Sequence, residues 1–256
     1  MSELNYGDEV FEVSSPEDIP LDAFKEKMRK DTFACIRGII SPEEVSSALS
    51  RLTTHFSSKN DHPGVGQSAD AVRSNFQKLN IGGESRARSN DDARLFRAFY
   101  NPIWAEDIYG FRDAFVRLAQ VRNVLAELPL DFAIDKIEGN GLWTAARIHQ
   151  YPAGGGFFRR HTDYVVKDIA DEKETQFYQL LLLMSNKGED FETGGGFVDL
   201  GKDRICLEDH FRCGDILVYD GRSVHGVEDI DPHLPLDLDT INGRITAFVT
   251  LFKVMN

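Results

Sequence analysis

His161 and Asp163 form the one His-x-Asp pair in the chain. Side chains alternate across extended backbone, so residues two apart project to the same side. This pair therefore offers an imidazole nitrogen and a carboxylate oxygen to one point. A third ligand must come from elsewhere, and His225, in Asp220-Gly221-Arg222-Ser223-Val224-His225, is the best placed. It follows a Gly-Asp turn and a strand-like run, which lets it return beside the first pair. Two histidines and one carboxylate on one face of an octahedron leave the opposite face open, a ligand set suited to ferrous iron. A four-coordinate zinc site would accept the same three residues. His55, His62, His210 and His233 lie in polar, charged or loop-like segments, as His210 does in Glu208-Asp209-His210, and read as solvated.

Near the C-terminus Arg244 and Thr246 share a face of an extended run that continues through apolar Phe248 to Phe252. A guanidinium aimed inward needs an anionic partner. Beside a hydroxyl it is suited to hold a carboxylate through charge-assisted bonds. Alternation through 143–151 places Trp143, Arg147, His149 and Tyr151 together on the side that leads to His161. Tyr151 is expected to donate to the same carboxylate as Arg244, and Arg147 and His149 to meet a substrate. A one-residue register slip would turn Arg147 and His149 to solvent. Arg160, just before His161, is a further substrate candidate, with a solvated ion pair as its alternative.

The elements that must position these residues fall into two parts. Residues 1–130 read as mostly helical. Ser41-Pro42-Glu43-Glu44 has the Ser N-cap, first-turn Pro and Glu of a capping box. Residues 93–100 and 108–128 also show helical periodicity, with Phe111, Phe115, Leu118, Val121 and Leu125 as one stripe. Residues 57–92 dissolve into Ser, Asn, Gly, Asp and Arg, and are read as either a lid or a disordered segment. From 131 to 256 short strands alternate with glycine turns, and the run ending at Met184 is apolar enough to be buried on both faces. The expected fold is mainly β with flanking helices, in one domain. At 256 residues and 41% hydrophobic content, the chain can bury a sizeable core. A formal charge of −13 disfavours nucleic acid and anionic membrane as partners. Neither a signal-like start nor an apolar run of membrane-spanning length is visible, and three scattered cysteines fit a reducing compartment, so a cytoplasmic location is expected.

The motifs taken together resemble the Fe(II)/2-oxoglutarate-dependent dioxygenases, nearest the prolyl-hydroxylase-like group. The match runs through Tyr151, His161-Thr162-Asp163, Phe191-Glu192-Thr193-Gly194-Gly195-Gly196, Gly214-Asp215, Asp220-Gly221-Arg222, His225 and Arg244-Ile245-Thr246, in the family's order over residues 143–254. The resemblance implies a double-stranded β-helix (jelly-roll) core. It implies Fe(II) on His161, Asp163 and His225, and the distal carboxylate of 2-oxoglutarate on Arg244 with Thr246 and Tyr151. It implies O2 as co-reactant and release of succinate and CO2. Halogenating relatives lack the carboxylate, so Asp163 points to hydroxylation, desaturation or ring closure. The gap from His225 to Arg244 is longer than usual and reads as an inserted loop. The expected substrate is a small molecule, of amino-acid or specialised-metabolite type. The alternatives are a protein side chain, as in prolyl hydroxylation, or a cupin-like metal protein or isomerase without O2 chemistry.

Overall fold

A computed structural model of the chain describes residues 10–62, 70–82, 93–163, 178–200 and 203–254. Its strands are β1 (Val10–Glu12), β2 (Phe33–Arg37), β3 (Phe76–Gly82), β4 (Arg94–Tyr100), β5 (Leu142–Tyr151), β6 (Gly156–His161), β7 (Tyr178–Leu183), β8 (Gly195–Leu200), β9 (Asp203–Cys206), β10 (Ile216–Asp220), β11 (His225–Ile230) and β12 (Arg244–Lys253). The helices are α1 (Leu21–Asp31), α2 (Pro42–His55) and α3 (Arg112–Leu125). Strand order runs β1-β2-β10-β7-β12-β5-β4-β6-β11-β8-β9, with β3 paired to β4. The path joins a β2-β10-β7-β12-β5 half to a β6-β11-β8-β9 half through β4, which pairs with both β5 and β6. The result is a jelly roll with helices on one side.

Alternation sorts the residues of the first half between two interiors. Ala146, Ile148, Leu180, Leu182, Ile216, Val218, Ala247 and Val249 face α1, α2 and α3, where they pack with Phe24, Val45, Leu52, Phe111, Phe115 and Leu118. The intervening residues face the second half. Central strands covered on both sides read as continuous apolar runs, which explains the Leu180–Leu183 stretch. The α3 stripe is fully buried, Phe115 at 1% exposure. Phe115→Ala therefore removes a ring from a closed core and should cost about 3–5 kcal/mol, read as a lower urea midpoint.

Helix α2 begins with the reciprocal capping box, Ser41 Oγ accepting from the Glu44 amide and Glu44 from the Ser41 amide. Residues 93–100, expected as helix, form the strand β4 instead. Arg94-Leu95-Phe96-Arg97-Ala98-Phe99-Tyr100 is short and aromatic, and a short apolar run does not declare its period. Three strand neighbours settle it, with Phe96, Ala98 and Tyr100 on one side and Phe99 on the other. The region 57–92 also contains structure: a turn of 3-10 helix at Ser58–Asn60, another at Ala71–Arg73, and β3. Residues 63–69 and 83–92 of the lid expectation lie outside those described.

The inserted loop, residues 231–243, is pinned at both ends. Asp231 Oδ1 accepts the amides of Glu192 and Thr193 at 2.9 and 2.7 Å. Gln150 Nε2 donates to the carbonyls of Thr240 and Asn242, and Arg97 Nη2 to that of Leu238. These bonds set the start of β12 so that Arg244 stands opposite Tyr151 and Thr246 opposite His149. Among the described residues no helix is long and apolar enough to cross a membrane.

Candidate metal centre and its cavity

Strands β6 and β11 pair antiparallel with His161 opposite His225, so the register itself brings the two imidazoles side by side. Their ring centroids are 4.3 Å apart. Asp163 lies just past β6, where its amide donates to the Gly221 carbonyl at 3.0 Å. That bond turns its carboxylate back toward the histidines. One ligand atom from each of His161, Asp163 and His225 lies within 4.8 Å of the others, a group able to hold a metal ion.

The second layer fixes how each residue presents itself. His161 Nδ1 is 2.9 Å from the Arg159 carbonyl, and His225 Nδ1 is 2.9 Å from the Ser223 carbonyl. A carbonyl only accepts, so each Nδ1 carries a proton, and each Nε2 is the ring atom that can give a lone pair to a metal or, when protonated, donate to Asp163. Both Nε2 atoms face Asp163, at 3.9 Å for His161 and 3.3 Å for His225. Gln179 Nε2 donates to Asp163 Oδ2 at 2.6 Å. Phe158 stacks on His161 at 3.8 Å, and the Tyr219 ring lies 5.0 Å from His225. Burial alone would raise the Asp163 carboxyl. The His225 hydrogen bond and the charges of His225, His161 and Arg147 outweigh it and hold the group below the usual range, as an anion.

The triad opens on a cavity of about 370 Å³ between the two halves of the sheet. Arg147, His149, Tyr151, Arg244 and Phe248 line it from β5 and β12. The β5 register thus turns Arg147 and His149 inward. Arg160 is not among the lining residues; its side chain is 61% exposed and lies 3.9 Å from Asp199.

Away from the triad the cavity wall is cationic, and its Arg244 is compensated. Arg244, 1% exposed, donates from Nε to Glu208, and its guanidinium lies 5.2 Å over the Tyr151 ring. Glu208 sits in a 3-10 turn (Leu207–Asp209) and also accepts the Gly196 amide at 2.8 Å. A Cβ on Gly196 would stand 2.5 Å from Arg244 Nη2, so this glycine of the Gly194-Gly195-Gly196 turn makes room for the guanidinium. Thr246 Oγ1 is buried without a hydrogen-bond partner. His149 accepts from Arg147 Nε at 3.0 Å, and its Nδ1 is also buried without a partner. Burial and the nearby Arg147 and Arg244 push the His149 pKa far down, so the ring is neutral.

Two members of this site were missed in the sequence. Gln179 carried a signal, an amide in an otherwise apolar strand, since a buried amide needs a partner. Glu208 carried none, because one acid in Glu208-Asp209-His210 looks like its neighbours.

No known protein-family profile matches the chain. No curated protein matches it either. Solved structures do. A Pseudomonas putida prolyl-4-hydroxylase superposes with TM-score 0.52 at 14% identity, over 92% of this chain and 100% of that one. EctD from S. alaskensis, solved with 2-oxoglutarate and 5-hydroxyectoine, gives 0.51 at 17% identity over 98% and 81%. The non-heme alpha-ketoglutarate-dependent epimerase SnoN from nogalamycin biosynthesis gives 0.50 at 13% identity over 91% and 82%. The sequence resemblance and the fold thus point the same way: the chain has the jelly-roll fold of the Fe(II)/2-oxoglutarate-dependent oxygenases.

Proposed function

We propose that the protein is an Fe(II)- and 2-oxoglutarate-dependent oxygenase that hydroxylates a C–H bond of a small molecule. The observation that carries this reading is the convergence of His161, Asp163 and His225, each already oriented by its own partner, at the wall of one cavity that also holds Arg244. Nε2 lone pairs from two imidazoles and an ionised carboxylate are the donors ferrous iron takes while keeping open positions. The buried, unpartnered hydroxyl of Thr246 beside Arg244 is what a carboxylate-binding corner needs before its ligand arrives. A guanidinium has five N–H donors and Glu208 takes one of those on Arg244, so the others can serve a second carboxylate.

Bound at these residues, iron and 2-oxoglutarate supply the oxidising chemistry, consuming O2 and releasing succinate and CO2. The protein's part is ligation, orientation and exclusion of water. His161, Asp163 and His225 hold the metal. Arg244, Thr246 and Tyr151 fix the far end of the cosubstrate, which orients its keto-acid end toward the triad. Phe158 and Tyr219 crowd the two imidazoles and limit how they rotate. Relatives of this fold include a hydroxylase and an epimerase, so the fold leaves the outcome open. The carboxylate of Asp163 favours hydroxylation over halogenation. A cavity of about 370 Å³ suits a compact substrate beside the cosubstrate.

A screen for succinate release over small metabolites, with Fe(II), 2-oxoglutarate and ascorbate, tests the reading. Release that depends on a particular small compound supports it. Release dependent only on added protein or peptide would move the substrate to a side chain. Gln179→Leu should weaken Fe(II) binding by about 10–100-fold, because Asp163 loses the donor that aims it. Fe(II) titration under anaerobic conditions reads this directly.

A further inference from the structure

Arg147 is a half-buried cation at the cavity wall that has no ion-pair partner among the described residues. Arg244 has Glu208, Arg97 has Asp61 and Arg37 has Asp215, each within ion-pair distance. Arg147 instead donates from Nε to His149 Nε2 at 3.0 Å and from Nη1 to Thr250 Oγ1 at 3.1 Å. Its guanidinium lies against the rings of Tyr100, Phe248 and Phe252, at 5.9, 5.3 and 5.9 Å. Among the described residues no carboxylate comes within ion-pair distance of it. His149 adds no charge, because the ring accepts from the guanidinium and is neutral. Two of the five N–H donors are therefore spent on holding the guanidinium in place, and three remain. The aromatic collar fixes its position and shields it in part from water, which strengthens any charge-assisted bond it makes.

We propose that Arg147 anchors an anionic head group of the substrate, a carboxylate or a phosphate, whose apolar body lies along the Phe248 and Phe252 side of the cavity. This rests on the proposed function, in which the two carboxylates of 2-oxoglutarate are held at the metal and at Arg244, leaving Arg147 uncommitted. An anion there completes the charge balance of a half-buried cation in a chain that is otherwise strongly acidic. A neutral amide of the same shape offers the guanidinium a weaker acceptor and leaves its charge uncompensated. Arg147 is thus a determinant of which molecules enter productively.

Calorimetry on the anaerobic protein loaded with Fe(II) and 2-oxoglutarate decides it, using 3-phenylpropanoate, 2-phenylethyl phosphate and 3-phenylpropanamide as probes. At least one of the two anions should bind about 30-fold or more tighter than the amide, and which one does so identifies the head group. Arg147→Gln should abolish that preference and Arg147→Lys should retain part of it. The visible band formed with Fe(II) and 2-oxoglutarate should keep its midpoint within about threefold in both variants, which also shows that they fold. Equal binding of anion and amide to the wild type, or no anion binding, overturns the inference. A 2-oxoglutarate midpoint weakened about tenfold or more by both substitutions overturns it too, because Arg147 would then serve the cosubstrate. A wild-type protein with no band refutes the oxygenase reading itself, an outcome distinct from a normal band with no anion preference.

Discussion

Asp163→Ala is expected to abolish succinate release and to weaken Fe(II) binding by at least about a hundredfold, while the protein stays folded. Substituting residues that merely orient a metal ligand typically costs up to that factor, and Asp163 is proposed as a ligand. Without it the site has two imidazoles and no charge to offset a dication. The fold should survive because the two histidines keep their own anchors, the Arg159 and Ser223 carbonyls, and the β6–β11 pairing does not use the carboxylate. Gln179 would lose its acceptor at the cavity wall, where water can replace it. Anaerobic Fe(II) titration with far-ultraviolet circular dichroism separates the two effects. An Asp163→Ala protein that binds iron as the wild type does would remove Asp163 from the site.

Arg244→Ala is expected to act on the other ligand. Iron should still bind, and the 2-oxoglutarate requirement should rise about a hundredfold, equivalent to about 3 kcal/mol for one lost buried charged contact. A second consequence follows from Glu208, which this substitution leaves buried without its ion-pair partner. Breaking such a pair from one side costs about 3–5 kcal/mol of stability. Glu208→Gln on the Arg244→Ala background should return much of that stability, since the neutral amide is cheaper to bury, without restoring the 2-oxoglutarate requirement. Urea denaturation and the cosubstrate dependence of succinate release, compared across the two single variants and the double variant, read the two roles separately. If the double variant recovers both, Arg244 is structural and the carboxylate corner lies elsewhere in the cavity.

What the sequence made legible follows from how local each signal is. The α2 capping box and the α3 stripe are written within one or two turns, and both elements form where expected. The β5 alternation is equally local, and the structure turns Arg147, His149 and Tyr151 to one cavity. β4 was misread because seven residues rich in Phe, Tyr and Arg satisfy either period, and its strand state is decided by β3, β5 and β6, which are distant in the chain. The approach of His225 to the His161–Asp163 pair is likewise a product of register. Spacing suggested it, but the β6–β11 pairing brings it about. The Glu208–Arg244 pair spans 36 residues and joins a 3-10 turn to a strand start, a contact with no local signature. An inward Arg244 in need of an anion was foreseeable on physical grounds; that the protein supplies one of its own was not.

The central claim is that His161, Asp163 and His225 hold ferrous iron in a form that accepts a chelating 2-oxo acid. Anaerobic addition of Fe(II) and then 2-oxoglutarate, followed by visible spectroscopy on the wild type and on His225→Ala, tests it most directly. The account predicts a charge-transfer band in the wild type that appears only when both are present, and no band in His225→Ala. A wild-type protein that stays colourless, or a His225→Ala protein with the same band, would contradict it.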